Sequence, residues 1–188
     1  MEEFTNVSHV NVTGAFYTKV AFLPLLEAQN KKRPAPVPGT VSPPRPQVII
    51  TISIAGFIRL ALPSFSYSLS KAAVTHMVKM LATNLSQYDI RVNGITPGLY
   101  RTDMSLLFYE SQGVPGNGTV DGSFPRDLVP VTRSGSEEDT AVVILWLAGA
   151  AGGYLNGILS LVMGARWVLC PPLTKVTGGI SAIPLFYL

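Results

Sequence analysis

Apolar positions in this chain follow a helical period in some stretches and run together in others, and proline-rich segments separate them. From Phe4 to Ala28 the residues Phe4, Val7, Val10, Ala15, Phe16, Phe22, Leu25 and Leu26 recur at roughly helical intervals and predict a helix. Thr5 or Asn6 is placed to cap its start, and Pro24 to kink or end it. Asn30 to Gln47 (NKKRPAPVPGTVSPPRPQ) holds six of the chain's fifteen prolines. That density opposes helix and strand alike and predicts an extended surface loop, mobile and dispensable. Val48 to Ile54 (VIITISI) is β-branched with almost no polar interruption, as a fully buried parallel strand requires. Ser66 to Gln87 predicts a long helix with Leu69, Ala73, Val74, Met77, Leu81 and Leu85 on its apolar side. Asp89 to Ile95 predicts a second strand, stopped by Pro97 and Gly98.

Residues 99 to 134, rich in Gly, Pro, Ser and Asp, predict a long connection, and loops of that length are more often lids than spacers. Glu137 to Ala148 predicts a third helix, capped by Ser136 and carrying Glu137, Glu138 and Asp139 in its first turn. Ile158 to Val162 predicts a third strand. The segment from Trp167 to Leu188 is apolar and broken by proline, and no element is assigned to it. Helix, strand, helix, strand, helix, strand is the order of right-handed crossovers in a parallel sheet, an α/β layered fold.

Composition narrows the function. Hydrophobic residues make up 47% of the 188 and charged residues 13%, so a packed core is expected and disorder is not. A net charge of +3 is too small and scattered for a nucleic-acid partner. Lys31, Lys32 and Arg33 form the one tight basic run and are read as solvated loop. One cysteine, Cys170, and two histidines, His9 and His76, argue against a disulfide framework and a zinc site. The acidic, polar start MEEFTNVSHV is unlike a secretory signal, and no apolar run reaches the ~18 residues of a membrane span. A cytoplasmic protein is expected, without membrane partners.

The residues with chemistry cluster around Tyr67-Ser-Leu-Ser-Lys71. A spacing of four puts both side chains on one helix face, one turn apart. A phenol is a poor proton donor or acceptor at neutral pH, and a neighbouring ammonium favours its phenolate form. The pair is suited to general acid–base work on a carbonyl or alcohol. Alone it is weak evidence, because Tyr-x-x-x-Lys also occurs on any surface helix. Its surroundings sharpen it. Ser53-Ile-Ala-Gly56 stands at the carboxyl end of the first predicted strand, where open α/β sheets bind ligands, fourteen residues before Tyr67. Asn11-Val-Thr-Gly14 lies in the first helix. Arg91-Val-Asn-Gly-Ile-Thr-Pro-Gly98 ends the second strand, Thr102 follows, and Tyr-Leu-Asn-Gly157 introduces the third.

In this order the motifs resemble the short-chain dehydrogenase/reductase family over nearly all of residues 4 to 166. The resemblance implies a Rossmann-like layered parallel sheet and an NAD(P)-dependent oxidoreductase acting on a small carbonyl or alcohol substrate. It implies that Ser53 holds and polarises the substrate oxygen, Tyr67 exchanges the proton, and Lys71 supports Tyr67 and binds the nicotinamide ribose. Asn11 would hold a water of the proton relay, and Pro97, Gly98, Tyr100 and Thr102 would touch the nicotinamide side of the cofactor. The segments Phe-Leu-Pro-Leu-Leu26 and Pro-Gly-Leu-Tyr100 look most like fungal members of secondary-metabolite pathways, which favours NADP over NAD. Subunit contacts made by the family's matching helices imply a homo-oligomer.

Three departures qualify the likeness. The family's amino-terminal half, with its Gly-rich dinucleotide turn, has no counterpart, and the GNG at 116–118 has no strand before it. The Ser53-to-Tyr67 spacing is one residue longer than usual. The family's Asp-Gly-Gly appears as Met163-Gly164-Ala165, and the tail from 167 to 188 is atypical. The expectation is therefore one partial domain over 1–188, with the amino-terminal half of the fold missing. A non-catalytic remnant, a subunit that pairs with another chain and a piece of a complete enzyme remain alternatives.

Overall fold

A computed structural model describes residues 1–59, 61, 63–114 and 116–164. Ala165 and the tail from Trp167 to Leu188 lie outside the described residues. The chain opens with α1 (Glu2–Ser8), a π-helical turn (His9–Gly14) and α2 (Ala15–Lys31). It continues with β1 (Gln47–Thr51), α3 (Phe65–Leu85), β2 (Arg91–Pro97), α4 (Leu106–Ser111), α5 (Glu137–Ala148) and β3 (Leu159–Val162).

The three strands form one parallel sheet in the order β1-β2-β3, with Ile50 opposite Gly94 and Ile95 opposite Ser160. Successive strand side chains point to opposite faces, so each strand feeds two layers. On one face Ile50, Ile52 and Val92 meet Val74, Val78, Ala82 and Leu85 of α3. On the other, Ile95 and Val162 meet Leu147 of α5.

Polar side chains fix how these layers meet. Asn156 donates to the Ala82 carbonyl at 3.0 Å and accepts from the Val92 amide at 2.8 Å, which ties β2 to α3. Buried Arg91 donates to the carbonyls of Arg45, Leu147, Gly152 and Leu155. A cation at the last carbonyls of α5 also complements the negative end of that helix.

Several expectations need correction. The first helix starts at Glu2 with Met1 before it, so neither Thr5 nor Asn6 caps it. Pro24 lies inside α2, which runs on to Lys31. A proline there loses the bond to the carbonyl four residues back and crowds that carbonyl with its ring, and the flanking turns carry the helix through. Lys31 belongs to α2 and pairs with Glu27 at 2.9 Å. The proline-rich loop is exposed but clasped. Arg33 donates to the Pro43 carbonyl at 2.9 Å, Asn30 donates to the Tyr88 carbonyl at 2.8 Å, and Arg45 pairs with Asp89 at 3.0 Å. β1 ends at Thr51, before the 3-10 turn Ile54–Gly56 that Ser53 caps, and at the edge of this sheet it buries only Ile50 instead of being buried throughout. The buried stripe of α3 runs through Ser66, Ser70, Val74, Val78, Ala82 and Leu85, leaving Leu69 outside. The long connection contains α4 and a small core of its own.

Candidate active site

The site forms where β1 ends and α3 begins. Ser64 starts α3 by accepting the Tyr67 amide proton at 3.2 Å, so Tyr67 sits in the first turn and Lys71 one turn later. The Lys71 ammonium lies 5.5 Å from the centre of the Tyr67 ring, close enough for a cation–π attraction. It also donates to the Thr51 carbonyl at 3.4 Å, which ties the helix to the last residue of β1. Burial lowers the Lys71 pKa from the usual lysine value.

Ser53 follows β1 with extended backbone, and its oxygen accepts the Ala55 amide proton at 3.2 Å. The turn it starts lies against α3 because residue 56 is glycine. A β-carbon there would come within 2.8 Å of the Lys71 main chain. Gly56 thus lets the Ser53 turn lie against the helix at Lys71.

Asn11 lies on the π-helical turn. Such one-turn bulges re-aim a side chain and recur at functional sites. Its carboxamide donates to the Ser70 hydroxyl at 3.0 Å, and Ser70 donates to the Tyr67 carbonyl at 2.7 Å. Asn11 is therefore two hydrogen bonds from the main chain of Tyr67. Beside it runs a groove of about 600 Å³ lined by His9, Asn11, Lys19, Thr51 and Lys71. The Lys19 pKa is also lowered, first by burial and then by the charge on Lys71, so two half-buried ammonium groups line the groove.

The residues expected at the cofactor are spread along the next segment. Pro97 ends β2, and the Gly98 amide donates to the Val162 carbonyl at 3.0 Å. Thr102 and Ser105 form a reciprocal cap, with the Thr102 amide donating to the Ser105 hydroxyl at 2.8 Å. Tyr100 pairs with Gly135 in an isolated bridge, and its ring occupies the space a side chain at 135 would need. Burial raises its phenol pKa, and Thr140 of α5 hydrogen-bonds it. The structure thus brings Asn11, Ser53, Tyr67 and Lys71 around the start of α3, with Pro97 at the end of the adjacent strand and Gly98 just past it. The Tyr100 side chain packs toward α5.

Sequence reasoning passed over Ser64, Ser66, Ser70 and Lys19. The first had a readable signal, a serine three residues before Tyr67 at a helix start. Lys19 had none, because its place beside Lys71 depends on how two helices pack.

A family model described as enoyl-(acyl carrier protein) reductase matches residues 1–164. The chain belongs to the short-chain dehydrogenase/reductase family. It is 36% identical over 172 residues to the short-chain dehydrogenase/reductase SAT3 of Stachybotrys chartarum, covering 88% of this chain and 62% of that protein. It is 41% identical over 170 residues to PhomF of Diaporthe leptostromiformis, covering 89% and 54%. The Pseudomonas aeruginosa RhlG/NADP active-site complex is similar in structure at a TM-score of 0.67 and 26% identity, over 87% of this chain and 57% of that one. A 3-oxoacyl-[acyl-carrier protein] reductase with bound NAD from Brucella melitensis matches at 0.65 and 26%, over 88% and 52%. The chain therefore spans about half to three-fifths of the length of the relatives it matches.

Proposed function

We propose that this chain carries the catalytic part of an NAD(P)-dependent oxidoreductase that interconverts a carbonyl and an alcohol on a small molecule. The observation that carries the proposal is the close seating of the Ser53 turn on α3 through Gly56, beside the Lys71 ammonium over the Tyr67 ring.

The residues present fit a nicotinamide ribose. An ammonium has three donors, and one from Lys71 reaches Thr51, which leaves others for ribose hydroxyls. A nicotinamide cofactor, when bound, supplies or accepts the hydride. In the reducing direction Ser53 donates a hydrogen bond to the substrate oxygen, and Tyr67 gives that oxygen its proton. Lys71 stabilises the phenolate that remains, and Asn11 holds a water that returns the proton. Pro97, Gly98, Tyr100 and Thr102 would line the nicotinamide side of the bound cofactor. The fungal resemblance favours NADP, while the solved relatives include both an NADP and an NAD complex.

Tyr67→Phe is expected to lower turnover by about 10²–10⁴-fold, the usual loss on removing a general acid–base group. NADPH oxidation followed by absorbance measures it, and near-normal turnover in that variant removes Tyr67 from the mechanism. We also propose that the protein is a homo-oligomer. Phe16, Phe22 and Leu25 of α2 and Leu69 of α3 all present exposed apolar surface. Light scattering tests this, and a monodisperse monomer would refute it. Among the described residues no helix is long and apolar enough to cross a membrane.

A further inference from the structure

The first turn of α3 is tied to α1 by a chain of hydroxyl groups that the reaction itself does not require. Ser66, buried at 2% exposure, donates to a Glu3 carboxylate oxygen at 2.7 Å. The Ser64 and Ser66 hydroxyl oxygens lie 2.8 Å apart. A hydroxyl has one proton, and that of Ser66 is already given to Glu3. The proton between the two serines therefore belongs to Ser64. The Ser64 oxygen then accepts the Tyr67 amide proton at 3.2 Å. The order is fixed end to end: Tyr67 amide to Ser64, Ser64 to Ser66, Ser66 to Glu3.

We propose that Glu3 is a positioning residue for Tyr67, acting through Ser66 and Ser64. The proposal rests on the reading of Tyr67 as the acid–base group. Hydrogen bonds in series polarise one another, and a carboxylate at the far end makes the Ser64 oxygen a stronger acceptor. The first-turn amides of a helix have no partner within the helix, so this acceptor decides how firmly Tyr67 is held. Glu3 also brings negative charge to the positive end of α3, which further stabilises the first turn. Ser70, which accepts from Asn11, donates to the Tyr67 carbonyl from the other side, so the residue is held at both its amide and its carbonyl.

The test is amide hydrogen exchange together with steady-state kinetics on Glu3→Ala, Glu3→Gln, Ser66→Ala and the double variant Glu3→Ala/Ser66→Ala. Protection of the Tyr67 amide should fall about tenfold in either alanine variant, while Val78 in mid-helix keeps its protection. Turnover should fall about tenfold with KM for NADPH unchanged, and the double variant should be no worse than either single one. Glu3→Gln keeps an accepting oxygen but loses the charge, and both readouts should fall between wild type and Glu3→Ala. Unchanged Tyr67 protection in the alanine variants, or losses that add in the double variant, would overturn the proposal. If Tyr67→Phe leaves turnover intact while the amide still responds to Glu3, the catalytic reading fails and the positioning contact stands.

Discussion

The core beneath α3 and the core inside residues 99–134 bury similar kinds of side chain but are closed in different ways. The first joins Ile50 and Val92 of the sheet, and Ile52 one residue past β1, to Val74, Val78 and Ala82 of one helix, and the Ile52 amide still donates to the Ile95 carbonyl of β2. The second gathers Tyr109, Val114, Phe124 and Val129, of which only Tyr109 lies in a helix. The Tyr109 and Phe124 rings meet edge to face with centres 5.3 Å apart, and Phe108 stacks on Phe124 at 6.4 Å. The Arg101 guanidinium lies 5.6 Å from the Tyr109 ring centre and donates to the Gly116 carbonyl. Main-chain bonds from Phe124 to Thr132 and from Ser134 to Gly118 hold the loop around these rings. The segment 99–134, expected from its length to be a lid, thus has an aromatic core of its own, separate from the core between the sheet and α3.

That comparison predicts opposite responses to truncation. Ile52→Ala, at a position 2% exposed, should lower global stability by about 2–5 kcal/mol, the range for a buried aliphatic residue. Urea unfolding followed by circular dichroism reads it, and a loss under about 1 kcal/mol would mean this core relaxes around the gap. Phe124→Ala should be milder globally and more severe locally. Exchange protection at Val114, Phe124 and Ser134 should collapse while β2 and α3 keep theirs, and global stability should fall by well under the roughly 3–5 kcal/mol of a fully integrated phenylalanine. Equal loss of protection in the lid and the sheet would show that the two cores unfold as one.

The same contrast explains what could be read beforehand. β1 was legible as a β-branched run, although only Ile50 of its five residues is buried, and β2 and β3 were legible as short apolar stretches bounded by turn residues. α5 was legible from Ser136 and the three acids after it, and the structure has Ser136 and Asp139 capping each other. Tyr67 and Lys71 were picked out by their helical spacing of four, and the family's motifs then gave them, Asn11 and Ser53 their roles. The lid core was not legible, since Tyr109, Phe124 and Val129 have no regular spacing and meet only because the loop folds back. The buried face of α3 was misread because Ser66 and Ser70 are polar, and a hydrophobicity pattern cannot credit serines buried by hydrogen bonds to Glu3 and Asn11. The outer face of α2 misled in the opposite sense: Phe22 and Leu25 are apolar yet exposed.

The smallest expected effect concerns the clasp where the lid rejoins the frame. Arg133, one residue before the lid's last buried serine, makes a two-pronged pair with Asp139 of α5 at 2.6 and 3.1 Å. Asp139 also accepts the Ser136 amide proton at 2.9 Å. These bonds, that from Arg133 foremost, hold the Asp139 carboxyl well below the usual carboxylate range. A carboxyl group depressed in the folded state contributes stability above its unfolded value near ~3.9, and the contribution fades as pH falls from there toward the folded value. The pair is about a third exposed, so solvent screens much of it. Asp139→Asn should therefore lower the melting temperature by only roughly 2 °C at pH 7. The gap between variant and wild type should close as pH falls below ~3.9, because the wild type progressively loses the same charge. Added salt should narrow it at pH 7 as well. A gap that persists undiminished at pH 2 would show that the Asp139 side chain stabilises the junction by packing or neutral hydrogen bonding rather than by its charge.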